Sequence, residues 1–358
     1  MHRLWGMSRY LSGRSHYHGG TATSYSSAKV HSLFLLPGNL SRKSHSYSPF
    51  QITEKLKPEE WSELDLNQQE SLLIPAHAKI NLSLDVLGKR SDGYHELRMV
   101  MQQLSLADQV RITLTPESGI RLRTDAPYLP TDHRNIAWQA ANLLGSRAGI
   151  NLQEVGVEIA ITKRIPVAAG LGGGSADAAA VLLGLNQLWR LGLSVEELQL
   201  LGVQLGADVP YCLMGGTALA EGIGERLSPQ ILANKLWVVL VKPPVSVSTR
   251  DVYGELDLNT LKSRPDILAL LAAMAAGDTH RMDRAMANVL ESVTTRKVPD
   301  IIEIKRKMLE YNAFTSLMSG SGPTVFGLFR DREKAQAAGD KLQRKSYDVY
   351  VAHTISSR

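Results

Sequence analysis

Apolar and polar side chains begin to alternate near Leu72, and further along the chain the apolar positions fall three and four residues apart. Residues 73–87 carry a mixed two-residue alternation that predicts a strand. Gly88-Lys89-Arg90-Ser91-Asp92-Gly93 then supplies turn chemistry, and Tyr94-His95-Glu96-Leu97 resumes the extended pattern. Residues 110–114 and 155–161 alternate as strands, with a helical pattern over 134–148 between them. Val181, Leu182, Leu185, Leu188 and Trp189 recur at helical spacing and predict a helix over about 176–190. Ser194, with Glu197 three residues on, has the form of a capping box for a helix over 195–205.

Residues 209–219 and 237–241 read as strands. A second half follows, with an element at 248–253 and helices near 266–276, 282–293 and 299–311. Segments 316–318 and 325–329 form a hairpin joined by Ser319-Gly320-Ser321-Gly322-Pro323, and a helix over 332–344 and a strand over 348–353 finish the chain. Strands and helices mix without regular alternation, which predicts an α+β fold rather than a doubly wound sheet. No internal repeat is visible.

Residues 1–72 have a different texture, rich in serine, histidine and arginine, with one short apolar run at Leu33 to Leu36. They read as a disordered leader, as a transit peptide or as a start assigned too far upstream. The expected domains are therefore 73–230 and 231–358. The basic excess is unevenly spread: Arg3, Arg9, Arg14, Lys29, Arg42 and Lys43 all precede the first acidic residue, Glu54, so the stretch before it carries the positive charge of the 358-residue, +5 chain. The folded part is close to neutral, which weakens a nucleic-acid reading. A 44% hydrophobic share with 21% charged residues is ordinary for a globular protein. No uninterrupted apolar window approaches the ~18 residues of a membrane span. A single cysteine, Cys212, excludes an intrachain disulfide framework and a cysteine metal cluster. These features suggest a cytoplasmic location, or a plastid one if the leader is a transit peptide.

The most informative stretch runs Pro166-Val167-Ala168-Ala169-Gly170-Leu171-Gly172-Gly173-Gly174-Ser175-Ala176-Asp177-Ala178, from a strand-like segment into a helix. Glycines without a Cβ let the main chain approach a polyanion, and the helix that follows presents unpaired N–H groups and its positive dipole end. Ser175 falls where an N-cap or a phosphate-contacting hydroxyl is wanted. A P-loop is excluded because no Gly-Lys-Ser or Gly-Lys-Thr follows. A dinucleotide fingerprint is excluded because Ser175 and Asp177 stand where its last glycine would fall. A glycine linker would not run straight into an amphipathic helix.

Four other segments carry chemistry. Lys79 and Asn81, in Pro75-Ala76-His77-Ala78-Lys79-Ile80-Asn81-Leu82, share one face of a strand, where a lysine can neutralise phosphate charge; a solvated strand face would have the same spacing. Tyr94-His95 after the glycine turn can stack on and hydrogen-bond a nucleobase, or be a structural pair. Asp208, in Leu205-Gly206-Ala207-Asp208-Val209-Pro210-Tyr211, has the setting of a general base with a cation to hold it, or of a helix cap. Ser319 to Pro323 is a second small-residue turn able to offer backbone N–H groups.

In this order, the segments PAHAKINLSLDVLGKRSDGYH, PVAAGLGGGSADAAAVL, LGADVPYCLMGGTALAEGIGE and MSGSGPTVFGLF resemble the GHMP kinase superfamily. The resemblance covers the chain from about residue 73 to its end. Combined with DGYH and GADVP, the glycine loop is similar to the branch that phosphorylates a cytidine diphosphate methylerythritol in non-mevalonate isoprenoid synthesis. That implies a two-domain GHMP kinase fold, with a ribosomal-protein-like N-terminal domain, a ferredoxin-like C-terminal domain and the site between them. It implies ATP as cofactor with Mg²⁺ bridging its phosphates, the phosphates lying against Pro166, Ala168, Ala169, Gly170, Leu171, Gly172, Gly173, Gly174, Ser175 and Ala176. Asp208 and Lys79 would be catalytic, and Asn81, Tyr94, His95 and Thr249 would bind the acceptor. Ser175 is the one candidate metal contact, and the second hydroxyl many relatives carry after the glycines is missing here. The expected partners are ATP and this small molecule, with no nucleic acid and no membrane; the oligomeric state is left open. Homoserine, mevalonate or a sugar as acceptor, or an RNA-binding protein with no activity, are the competing readings.

Overall fold

The computed structural model describes residues 70–356, apart from 262 and 345. The leader assigned to residues 1–72 therefore lies almost wholly outside the described residues. The first described element is β1 (Ser71–Lys89), which pairs antiparallel along nearly its whole length with β2 (His95–Thr115). The turn predicted at 88–93 joins them, and β2 continues through the segment expected as a separate strand at 110–114.

β2 is the spine of the first sheet. Its first half pairs with β5 (Thr217–Gly222) and its second half with β4 (Gly156–Thr162). β4 pairs in parallel with β3 (Gly119–Thr124), and β5 is edged by β6 (Arg226–Pro229), giving the order β3-β4-β2-β5-β6 with β1 on β2. Both short edge strands escaped the sequence reading. Over this sheet lie α1 (Ile136–Ala148), α2 (Gly173–Leu188) and α3 (Val195–Gly202), and α4 (Val209–Met214) packs against α2 and α3. Their alanine- and leucine-rich faces close on Val110, Ile112, Ile159 and Ile161 of the strands. The predicted capping box at Ser194 and Glu197 is present in full.

The second sheet is antiparallel, in the order β10-β7-β9-β8, built from β7 (Trp237–Lys242), β8 (Thr315–Met318), β9 (Val325–Phe329) and β10 (Asp348–His353). Between β7 and β8 run α5 (Thr249–Gly254), α6 (Ile267–Ala276), α7 (Thr279–Ala285), α8 (Glu291–Lys297) and α9 (Asp300–Glu310); α10 (Arg332–Leu342) joins β9 to β10. The sequence of elements is β-α-β-β-α-β, the ferredoxin-like arrangement. Two further apolar clusters join the halves. One sets Leu84, Met99 and Met101 against Val239, Ile301 and Phe329; the other sets Ile80, Leu82 and Leu104 against Leu240, Leu270 and Phe326.

Three local expectations need correction. Residues 209–219 are not one strand: 209–214 form α4, Gly215 and Gly216 turn the chain at positive φ, and β5 begins at Thr217. Pro210 stands in the first turn of α4, where its missing N–H and fixed φ suit a helix start, and a short apolar run does not distinguish the two states. The helix expected over 282–293 is two, because the chain between α7 and α8 runs extended beside β1, with Leu84 N donating to Ala287 O and Val289 N to Leu84 O. The helix after the glycine loop starts at Gly173 rather than 176, so Gly172 takes the N-cap position and Ser175 lies inside the first turn.

Candidate active site

The glycine loop has the conformation its composition requires. Gly170 and Gly172 adopt φ +75° and +71°, in the left-handed region. A Cβ on Gly170 would lie 2.4 Å from the Ser319 carbonyl oxygen, and one on Gly172 would lie 3.0 Å from Cγ of Lys79. The α2 ladder opens with Ala176 N donating to Gly172 O, which leaves the N–H groups of Gly173, Gly174 and Ser175 without intrahelical partners. These groups and the positive helix end face a cavity of about 380 Å³ lined by the loop, Pro130, Arg134 and Asn135. Of the loop residues assigned from sequence, Pro166, Ala168, Ala169, Gly170, Leu171, Gly172, Gly173, Gly174 and Ser175 line this cavity. Ala176 is buried behind them.

Beneath the loop, Lys163 bridges two buried carboxylates, Asp108 of β2 and Asp177 of α2. Asp108 Oδ1 also accepts from the N–H of Ile165 at 2.8 Å. Two strands and the helix behind the glycines are thus tied at one point. Burial pushes the Asp177 carboxyl up to about 7 against the pull of Lys163, with the charge of Asp108 adding to the rise. Burial alone would lower Lys163, but the charges of Asp177 and Asp108 hold it above its ordinary value. Sequence reading singled out none of these three roles.

β1 delivers Lys79 and Asn81 to the other side of the loop. Its pairing with β2 shifts register on both sides of this segment, and Lys79 N donates to Leu171 O at 2.9 Å, so the strand is fastened to the loop. Lys79 Nζ donates to Asn81 Oδ1 at 2.9 Å and lies 3.3 Å from Asp208 Oδ2. Asp208 occupies the N-cap position of α4, yet its carboxylate makes no capping hydrogen bond and turns to the lysine instead. The Lys79 side chain is 7% exposed and that of Asp208 32%, so the aspartate is the member of the pair that reaches open space.

That space is a cavity of about 890 Å³, an ordinary size for a small-molecule site. Lys79, Asn81, Asp208, Gly170, Gly172 and Ser175 line it together with Tyr94, His95, Thr249, Tyr253, Gly320 and Ser321. The His95 ring packs against Tyr253 with centroids 5.0 Å apart and planes tilted 33°. Burial and the nearby charge of Lys89 hold the His95 imidazole below its ordinary value. Thr249 opens α5 and its hydroxyl meets that of Ser321 at 2.8 Å. Tyr253 was overlooked in the sequence although it follows Thr249 by one helical turn, and the cations Lys89 and Arg250, also on the cavity wall, were not assigned roles.

Comparison with known proteins places the chain in a family. The family model described as the GHMP kinases N terminal domain matches residues 135–216, and that for the GHMP kinases C terminal matches 270–348. A homoserine kinase structure from Cytophaga hutchinsonii superposes with a TM-score of 0.66 at 23% identity, covering 81% of this chain and 96% of its own, which bears on the fold alone. The fold is that of a GHMP kinase, an ATP-dependent phosphotransferase acting on a small molecule.

The chain is 51% identical over 288 residues to the 4-diphosphocytidyl-2-C-methyl-D-erythritol kinase of Alkaliphilus oremlandii, covering 80% of this chain and 98% of that one. It is 49% identical over 286 residues to the enzyme of the same name from Acetivibrio thermocellus, covering 80% and 100%. A crystal structure of 4-(cytidine 5'-diphospho)-2C-methyl-D-erythritol kinase matches with a TM-score of 0.67 at 37% identity, over 79% of this chain and 99% of that one. The chain belongs to the 4-diphosphocytidyl-2-C-methyl-D-erythritol kinase family. Among the described residues, no helix is long and apolar enough to cross a membrane.

Proposed function

We propose that this chain transfers the γ-phosphoryl group of ATP to the 2-hydroxyl of 4-diphosphocytidyl-2-C-methyl-D-erythritol, a step of isoprenoid precursor synthesis. The observation that carries the reading is the Lys79–Asp208 pair in one cavity with the glycine loop and with His95 packed on Tyr253. Asp208 takes the proton of the attacking hydroxyl, Lys79 holds the carboxylate and the hydroxyl in register, and Asn81 fixes the polyol through the same hydrogen-bonded array. Tyr94, His95 and Tyr253 form an aromatic wall for the cytosine, and Thr249 binds near the polyol. Lys89 and Arg250 supply positive charge for the acceptor's diphosphate.

The nucleotide phosphates lie on the N–H groups opening α2, and phosphoryl transfer then rests on positioning and charge stabilisation. Among the described residues no cluster of three or more His, Cys, Asp or Glu side chains could hold a metal by itself. This suits Mg²⁺, which is commonly bound through substrate phosphates with few protein contacts, and Ser175, bordering both cavities, is the hydroxyl that would reach it. Bound there, the ion neutralises phosphate charge.

A panel of acceptors with labelled ATP tests the reading. The cytidylyl methylerythritol should be the preferred acceptor. Phosphorylation of homoserine, mevalonate or a free sugar at higher kcat/KM would overturn it.

A further inference from the structure

Three side chains of one segment grip the backbone of the second glycine-rich turn. Asn288, 5% exposed, donates both Nδ2 hydrogens, to Met318 O and to Gly320 O, each at 2.8 Å, and its Oδ1 accepts from Leu290 N at 3.0 Å. Glu291 accepts from Met318 N at 2.7 Å while its other oxygen pairs with Lys305. Thr294 donates to Ser321 O at 3.1 Å. The same segment is fastened to β1, since Ser83 Oγ donates to Ala287 O at 3.0 Å beside the backbone bonds at Leu84.

The gripped turn touches both halves of the catalytic apparatus. Ser319 Oγ donates to Gly170 O at 3.0 Å, so the turn braces the phosphate loop. Gly320, at φ +59°, lies beside Asn81: a Cβ on it would sit in ordinary contact, 3.5 Å, with Asn81 Oδ1, the atom that accepts from Lys79. Asn288 therefore holds Gly320 at the wall of the cavity that Asn81, Lys79 and Asp208 also line. A second link runs through Ser319 to Gly170.

We propose that Asn288 and Glu291 are positioning residues for phosphoryl transfer, holding the Ser319–Gly322 turn as a fixed wedge between the phosphate loop and the Lys79–Asp208 pair. This rests on the functional reading above. A displaced wedge relaxes the loop and the lysine together, whereas its link to the acceptor side, the hydroxyl contact between Thr249 and Ser321, adjoins the Ser321 carbonyl that Thr294 holds separately.

Asn288→Asp is the sharpest test, because it preserves volume and the acceptor for Leu290 while replacing the donor Nδ2 with a carboxylate oxygen set against two carbonyls. The folded variant, checked by thermal unfolding, should lose roughly 10- to 100-fold in kcat, the scale of an ångström-sized misplacement. Affinity for a non-hydrolysable ATP analogue, read by calorimetry, should fall about fivefold or more, while the acceptor KM stays within about threefold. The pair Glu291→Gln and Glu291→Ala supplies an independent arm: Gln keeps an oxygen for Met318 N–H and should recover most of what Ala loses, although both break the contact with Lys305.

Wild-type kcat and analogue affinity in folded Asn288→Asp would overturn the proposal, as would equal losses in the two Glu291 variants. If Asn288→Asp does not fold, the Glu291 pair decides. An inactive wild type on the cytidylyl acceptor sinks the functional reading instead, and the analogue affinities still judge the wedge.

Discussion

Lys79 Nζ and Asp208 Oδ2 stand 3.3 Å apart, the lysine rising from a buried strand and the aspartate from the residue that opens α4. The aspartate's position invites a capping role, but its side chain makes no capping bond, so removing the carboxylate leaves the helix start as it was. Asp208→Asn should therefore lose roughly 10²- to 10⁴-fold in kcat as a missing general base. KM for ATP and the thermal midpoint should change little. Steady-state kinetics beside a melting curve separate this outcome from a structural one, in which stability and rate would fall together.

Gly170 and Gly174 belong to one loop yet should respond in opposite ways to alanine. At Gly170 the left-handed φ and the 2.4 Å approach to Ser319 O leave no room, so Gly170→Ala should destabilise by about 1–3 kcal/mol and weaken nucleotide binding. At Gly174 the new methyl meets only Ile136 Cγ2 at 3.6 Å, inside a helix, and stability should hold or rise by up to about 1 kcal/mol. Urea denaturation of the two variants makes the comparison. Equal losses would show that glycine is needed along the whole loop for its flexibility rather than at one crowded point.

The parts of this fold that were legible in sequence are those whose signal is local. The Ser194–Glu197 capping box, the alternating strands β4 and β7, and the glycine loop each state their structure within a few residues. The spacing of Lys79 and Asn81 predicted a shared face, and the structure joins them by a hydrogen bond. What stayed hidden depends on distant chain. Asp108 and Lys163 are ordinary surface-type residues until β2 and β4 bring them together over Asp177. Residues 286–290 keep a helical composition, but β1 and the glycine turn recruit their backbone and the Asn288 side chain, and tertiary bonds win over propensity. Tyr253 gained its meaning only from the ring of His95 across the cavity.

His95 should give the acceptor site a one-sided pH response. Burial and Lys89 hold its pKa below the ordinary 6.5, so at neutral pH the ring is uncharged and offers a nucleobase one donor and one acceptor nitrogen. A depressed folded value means the unfolded chain binds the proton more readily, so the stability this group contributes is present above 6.5 and lost as the pH falls. The acceptor KM should be level through neutral pH and rise on acidification below 6.5. In His95→Gln that acid limb should vanish, with a raised KM at every pH. A limb that persists in the variant would assign it to another group.

Asp177 predicts a stability response of the opposite sense. With its carboxyl held at about 7 instead of 3.8, the folded chain retains a proton that the unfolded chain releases at lower pH. Its contribution to stability is therefore complete below 3.8 and is lost as the pH rises through about 7. A side-chain amide cannot ionise, so the variant Asp177→Asn removes this dependence and leaves Lys163 paired with Asp108 alone. Urea unfolding at about pH 5 and about pH 8, on either side of the folded value, should show the wild type losing more stability than the variant over that interval. Because Asp177 sits one turn into the helix behind the phosphate loop, the same titration should appear in ATP-analogue affinity, which should decline as a second negative charge forms beside Asp108. Parallel pH curves for the two proteins, in both unfolding and binding, would mean that this carboxyl does not change its charge in the folded chain.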